Sequence, residues 1–108
     1  MLSFDSITLF FNRALTSVNL LRNNLGGGAA AVVAAAKQNG NIKTLCGIEE
    51  GKTTVDLNGR RQEKLKASDA VLLSFDLEFN RALTSLNLWN NQIGAGGAKA
   101  IADSLPQS

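Results

Sequence analysis

The chain contains no histidine, one cysteine and one proline in 108 residues. Without histidine, the commonest general base and the commonest zinc ligand are both missing. The lone Cys46 cannot close an internal disulfide, which favours a reducing interior, and a cytoplasmic location is expected. No run approaches the ~18 consecutive apolar residues that would cross a bilayer. The N-terminal stretch MLSFDSITLFFNRAL is apolar, but Asp5 stands where a signal peptide would carry positive charge. Charge is also sparse: the net value is +2, with 19% charged residues of both signs. That is too weak and too mixed to imply nucleic acid or an anionic membrane as a partner.

What the chain does have is a sentence written twice. FNRALTSVNLLRNNLGGGAA starts at Phe11, and FNRALTSLNLWNNQIGAGGA starts at Phe79, 68 residues later. Over the 26 pairs from Phe11/Phe79 to Ala36/Ser104, 14 are identical and no gap is needed. Self-similarity of this kind points to stacked repeats rather than to one unique core. LSFD at Leu2–Asp5 also recurs as LSFD at Leu73–Asp76, so the N-terminus reads as a repeat helix whose preceding strand is missing.

Inside each copy the apolar residues fall on one grid. Leu15, Val18, Leu20, Asn23 and Leu25 spell L-x-x-L-x-L-x-x-N-x-L, and Leu83, Leu86, Leu88, Asn91 and Ile93 spell it again. Val18 and Leu20 alternate with Asn19 and Leu21, as a short half-buried strand would. On these residues the chain resembles the leucine-rich repeat family, in its ribonuclease-inhibitor-like form, as found in NOD-like receptors and protist repeat proteins. The resemblance implies an α/β fold: a short solenoid with parallel strands on a concave face, helices on a convex face and an irregular middle repeat. It divides one domain, 1–108, into the helix of a truncated repeat at 2–12, a repeat at 15–41, an irregular repeat at 42–82 and a repeat at 83–108. It also implies that Asn23 and Asn91 form a structural ladder, turning inward to satisfy backbone groups of adjacent coils.

Glycines follow each strand, at Gly26–Gly28 and Gly94–Gly97, and alanine-rich helices should come next. Gly40 and Pro106 are their expected stops. A further helix is expected at Ser68–Phe79, with Ser68 as N-cap and Asp69 against the helix dipole. Its buried stripe would be Ala70, Leu73 and Leu77, with Phe75 and Phe79 alongside. Between the copies, IKTLCGI (Ile42–Ile48) and TTVDLNG (Thr53–Gly59) both open like strands. They start too close together for two parallel rungs, which need about a dozen intervening residues. The expectation is a hairpin around Glu49–Lys52, with Thr53–Asn58 joining the parallel sheet and Arg60–Lys66 a solvated loop.

No constellation carries chemistry convincingly. CGIEEGKT at Cys46–Thr53 ends like a phosphate-binding loop, yet Cys46 occupies the first glycine position and a strand pattern follows where a helix N-terminus is required. The nine carboxylates show no paired acid–base spacing and read mostly as helix-face or loop charges, and Cys46 reads as a small buried residue. The chain is therefore expected to be non-enzymatic, with no cofactor and no metal.

The family resemblance nominates a concave surface made of Ser17, Asn19 and Leu21; Thr54, Asp56 and Asn58; and Ser85, Asn87 and Trp89. Trp89 and its counterpart Leu21 would both face outward there, and an exposed tryptophan is a natural binding hot spot; the alternative for Trp89 is packing on a flanking coil or a second subunit. The expected function is protein–protein interaction through this face, with a protein partner and neither nucleic acid nor membrane. The alternative is self-association through open ends, as a homo-oligomer or part of a longer array; nucleotide binding at the Gly-Lys-Thr stretch is a remote third.

Overall fold

A computed structural model describes residues 14–60 and 62–105. The elements run α1 (Gly28–Asn39), β1 (Thr54–Asp56), α2 (Ala67–Phe79), β2 (Ser85–Asn87) and α3 (Gly94–Ser104). The expected helix at 2–12 and the stop at Pro106 lie outside the described residues. β1 and β2 form a parallel pair, with Thr54 opposite Ser85, Val55 opposite Leu86 and Asp56 opposite Asn87. The architecture is thus α/β. Helix α2 lies between α1 and α3 and touches both.

The helices begin and end for local reasons. Gly40 closes α1 in the left-handed region, φ 78°, and donates its N–H to Ala36 O at 3.2 Å. α2 starts two residues earlier than Ser68 as N-cap predicts. Its N-cap is Lys66, and Asp69 reaches back so that Oδ2 accepts the Lys66 N–H at 2.8 Å. The third-residue carboxylate supplies the cap, and Ser68 is left buried on the first turn. α3 approaches α2 through Gly97, where a Cβ would stand 3.0 Å from the Ala70 Cβ.

The core gathers around α2. Leu65, Ala70, Leu72 and Leu73 are fully buried, together with Ala29 from α1 and Leu45 from the stretch between the copies. Ala70, Leu73 and Leu77 are buried as their spacing predicts. Phe79 is different: it is 55% exposed and meets Phe75 edge-on, ring centroids 5.3 Å apart. It occupies the last residue of α2, where the helix has run past the core.

The two copies share several local backbone features, though Asn24 takes positive φ, 56°, and its equivalent Gln92 does not. Arg22 and Asn90, equivalent positions, both take positive φ, 66° and 60°, and so do Gly26 and Gly94, at 56° and 70°. Asn19 Oδ1 accepts the Leu21 N–H at 3.1 Å, and Asn87 Oδ1 accepts the Trp89 N–H at 2.9 Å. Identical residues thus reproduce an identical turn at the strand end.

The hairpin expected around Glu49–Lys52 does not form among the described residues. Lys43–Gly47 bonds to the first copy instead: Lys43 N–H to Thr16 O, Val18 N–H to Thr44 O, Leu20 N–H to Leu45 O and Gly47 N–H to Val18 O, at 2.7–3.1 Å. Thr54–Asp56 pairs with the second copy, as expected for that strand. Each stretch meets a complementary strand of a repeat copy, so pairing with its neighbour is outcompeted. Only the Lys52 N–H to Glu49 O contact, 3.2 Å, closes the turn between them.

Gly59 marks the tightest approach between the middle stretch and the second copy. A Cβ there would fall 2.1 Å from Asn90 O and 2.8 Å from Asn91 Oδ1. Gly59→Ala should therefore cost about 1–3 kcal/mol. Chemical denaturation of the variant checks it, and an unchanged midpoint would disprove this contact.

Candidate functional site

The exposed face of the β1–β2 pair is the best-defined polar surface on which predicted residues come together. Thr54 and Ser85 form its first rung, and Asp56 and Asn87 form its second. Bonds from Leu57 N–H to Asn87 O (2.8 Å) and from Gly59 N–H to Trp89 O (3.0 Å) carry the register onward, setting Asn58 opposite Trp89. Side chains two apart on a strand share a face, so all six residues line one side. Val55 and Leu86, pointing the other way, are half-buried.

Short side-chain bonds stiffen this face. Asp56 Oδ1 accepts from the Asn58 N–H at 3.1 Å and from Asn58 Nδ2 at 2.7 Å, while Asn58 Oδ1 accepts the Arg60 N–H at 3.0 Å. These bonds from Asn58, with one from the Asn87 side chain, hold the exposed Asp56 carboxyl below its ordinary range. Trp89 is 65% exposed at the end of the face. The surface therefore offers one fixed negative charge, several oriented amides and hydroxyls, and one large aromatic ring.

The remaining three nominated residues are not part of it. Ser17 and Asn19 are exposed, but their strand bridges to Thr44 and Cys46, and no ladder connects that pair with β1 and β2 among the described residues. Leu21 does not face outward; it is 7% exposed and belongs to the core cluster with Cys46 and Ile48. The pairing of Lys43–Gly47 with the first copy was not foreseen, and Leu21, Cys46 and Ile48 are buried in one cluster. The side chains of Thr44, Cys46 and Ile48 are themselves buried, so the nine-residue face is interrupted there.

Asn23 and Asn91 share one bond, from Nδ2 to the carbonyl two residues back, 3.3 Å in each copy. Asn91 goes further. Its Nδ2 donates to Leu57 O at 2.8 Å and its Oδ1 accepts the Leu65 N–H at 2.7 Å, clasping the middle stretch on both sides.

Two features escaped sequence reasoning. The first is Asp76, which is no helix-face charge: it is 2% exposed, accepting the Thr44 hydroxyl at 2.5 Å and the Leu45 N–H at 2.9 Å. Burial pushes its carboxyl above the ordinary range, opposed by the bonds from Thr44, Leu45 and Cys46. Burial, reinforced by Asp76, raises the neighbouring Cys46 thiol well above its usual value, so the thiolate is suppressed. The second is a groove of about 780 Å³ between the C-terminal ends of α1 and α2 and residues 42–51. Ile42, Ile48, Phe75 and Phe79 line it, and a Lys37–Glu78 ion pair of 3.4 Å sits at its rim. The seven identical residues FNRALTS, four of which reach this groove in the second copy, were the available signal.

Chemical machinery is sparse around these features. Among the described residues no cluster of three potential metal ligands occurs, and no helix is long and apolar enough to cross a membrane. Lys52 and Thr53 lead into strand β1, so no helix N-terminus faces the Gly-Lys-Thr stretch.

Residues 79–102, which span the end of α2, β2 and most of α3, match a family model described as a leucine-rich repeat. No curated protein and no solved structure matches the chain.

Asp76→Ala should destabilise the fold by about 2–4 kcal/mol, since it strands a buried hydroxyl and a buried N–H. Asp76→Asn keeps an acceptor for Leu45 and should cost less than half of that; equal losses in urea unfolding would refute the assignment. In native protein Cys46 should resist iodoacetamide at pH 8 and react once unfolded, as mass spectrometry would show.

Proposed function

We propose that this protein is a non-enzymatic interaction module that binds a protein partner through the exposed β1–β2 face. Leucine-rich repeats generally mediate protein–protein interaction, and residues 79–102 carry one. The observation that carries the reading is Trp89, 65% exposed beside Asn87 and opposite Asn58 on a hydrogen-bonded, pre-ordered surface. A rigid aromatic group among oriented polar ones loses little entropy on binding, which is what makes such a residue a hot spot. The type of repeat, ribonuclease-inhibitor-like, and a solenoid stacking of its coils belong to this proposal, as does an intracellular setting. Support for the last comes from the single, buried cysteine.

A second reading, self-association, has its own observation. Leu86, Leu88 and Ile101 are only half-buried around β2, and Leu105 is 49% exposed. Such apolar surface fits contact with another molecule of this chain.

Two measurements separate these. With tagged protein in extract from the source cell, Trp89→Ala and Asn87→Ala should each lower recovery of a specific partner at least tenfold against wild type. Recovery that matches wild type would remove the face from consideration. Light scattering across a hundredfold concentration range should show a constant monomer mass; a rising mass would favour the second reading instead.

A further inference from the structure

The outer edge of β2 repeats, group for group, an edge that is already occupied elsewhere in the molecule. In the first copy, Thr16 O, Val18 N–H, Val18 O and Leu20 N–H bind the backbone of Lys43–Gly47. Their equivalents, 68 residues on, are Thr84 O, Leu86 N–H, Leu86 O and Leu88 N–H. The inner edge of β2 is used by Ser85, Asn87 and Trp89, which meet β1 and its extensions. By the alternation of a strand, the four equivalent groups point the other way, and none has a backbone partner among the described residues.

The side chains tell the same story. Leu21 is buried in one cluster with Cys46 and Ile48, whereas Trp89, at the equivalent position and also followed by a left-handed residue, lies open. From these equivalences we infer that the β2 edge is an acceptor for an extended segment of a partner protein, bound in the register that Lys43–Gly47 adopts on the first copy. Strand addition of this kind draws affinity from main-chain bonds and specificity from alternate side chains.

The internal example defines the chemistry of the occupant. Leu45 and Ile48 are buried, so the partner segment carries apolar side chains at those two places. Gly47 has φ 71°, and a Cβ there would approach the Asn19 Cβ to 3.0 Å. Asn87 stands where Asn19 does, so the partner segment carries glycine opposite it. The two N–H groups that donate to the edge are those of Lys43 and Gly47; the Thr44 N–H is not among the bonds to the first copy. This surface is the edge of the sheet and the proposed binding face is its exposed side; the two share Trp89, and the main-chain groups of Leu86 and Leu88 belong to the edge alone.

The test uses wild-type protein and a capped peptide with the sequence of Ile42–Ile48, alanine replacing the cysteine. Trp89 is the only tryptophan, so its fluorescence reports the site directly. The peptide should give a saturable blue shift. N-methylation at the Lys43 and Gly47 positions should weaken binding at least tenfold, and N-methylation at the Thr44 position should leave it within twofold. Leu86→Pro, which deletes an outward N–H while sparing the inner edge, should also abolish the shift while the circular dichroism spectrum stays native. No saturable response, or equal weakening by both methylation patterns, overturns the inference. A concentration-dependent dimer that Leu86→Pro dissolves would overturn the choice of occupant in favour of a second molecule of this chain.

Discussion

The buried Asp76 carboxylate is the contact on which the arrangement between the two copies depends. It projects from α2 into the stretch that follows α1 and accepts both the Thr44 hydroxyl and the Leu45 N–H. Thr44 Oγ1 in turn accepts the N–H groups of Cys46 and Ile48, at 3.0 and 3.1 Å. One side chain thus organises four polar groups in a region without regular secondary structure. A charged carboxylate is costly to bury, and these donors offset the cost. With Thr44–Ile48 held in this way, the stretch presents Lys43 and Gly47 to the first copy and places Cys46 and Ile48 in the buried cluster that also holds Leu21.

The comparison of the copies shows what sequence identity does and does not determine. Equivalent residues give equivalent turns: Arg22 and Asn90 share a left-handed backbone although their side chains differ. Burial is not inherited in the same way. Leu21 and Trp89 leave the strand at the same point and end up at 7% and 65% exposure. Asn23 and Asn91 make the same 3.3 Å local bond, yet only Asn91 is seen to grip a neighbouring stretch, at Leu57 and Leu65. A repeat unit encodes its own bend; its neighbours decide what that bend buries.

The same distinction explains how much was legible from the sequence alone. α1, α2 and α3, the strand at Thr54–Asp56 and the buried stripe Ala70–Leu73–Leu77 were readable, because each rests on local periodicity and on glycine punctuation such as Gly40. Alternation groups Thr54, Asp56 and Asn58 on one side of their strand and Ser85, Asn87 and Trp89 on one side of theirs; the family resemblance joined the two groups, and the parallel β1–β2 register sets them side by side. Leu21 was misplaced because alternation is silent about nonlocal packing, and Leu21 joins a buried cluster with residues distant in sequence. Asp76 was misjudged for a related reason: in the sequence it is one more acid on a helix, and only the nonlocal approach of Thr44 makes it interior. The Lys66 N-cap was invisible because lysine has no capping side chain, and the cap comes from Asp69 reaching backward.

The openness of the β2 end is a consequence of the same physics. β2 has a paired strand on one side only among the described residues, and its inward Leu86 stays half-buried. Val55 on β1 and Leu86 on β2 are both only partly buried, in contrast to Leu45 and Leu65, which have lost all contact with solvent. Exposed strand edges of this sort invite pairing, and long ones are normally blunted by charge or proline. Here the strand is three residues long and carries neither. Shortness limits nonspecific pairing, since three residues offer few main-chain bonds. An occupant must then supply the rest through side chains that fit Trp89 and Leu86, and that requirement makes the edge selective.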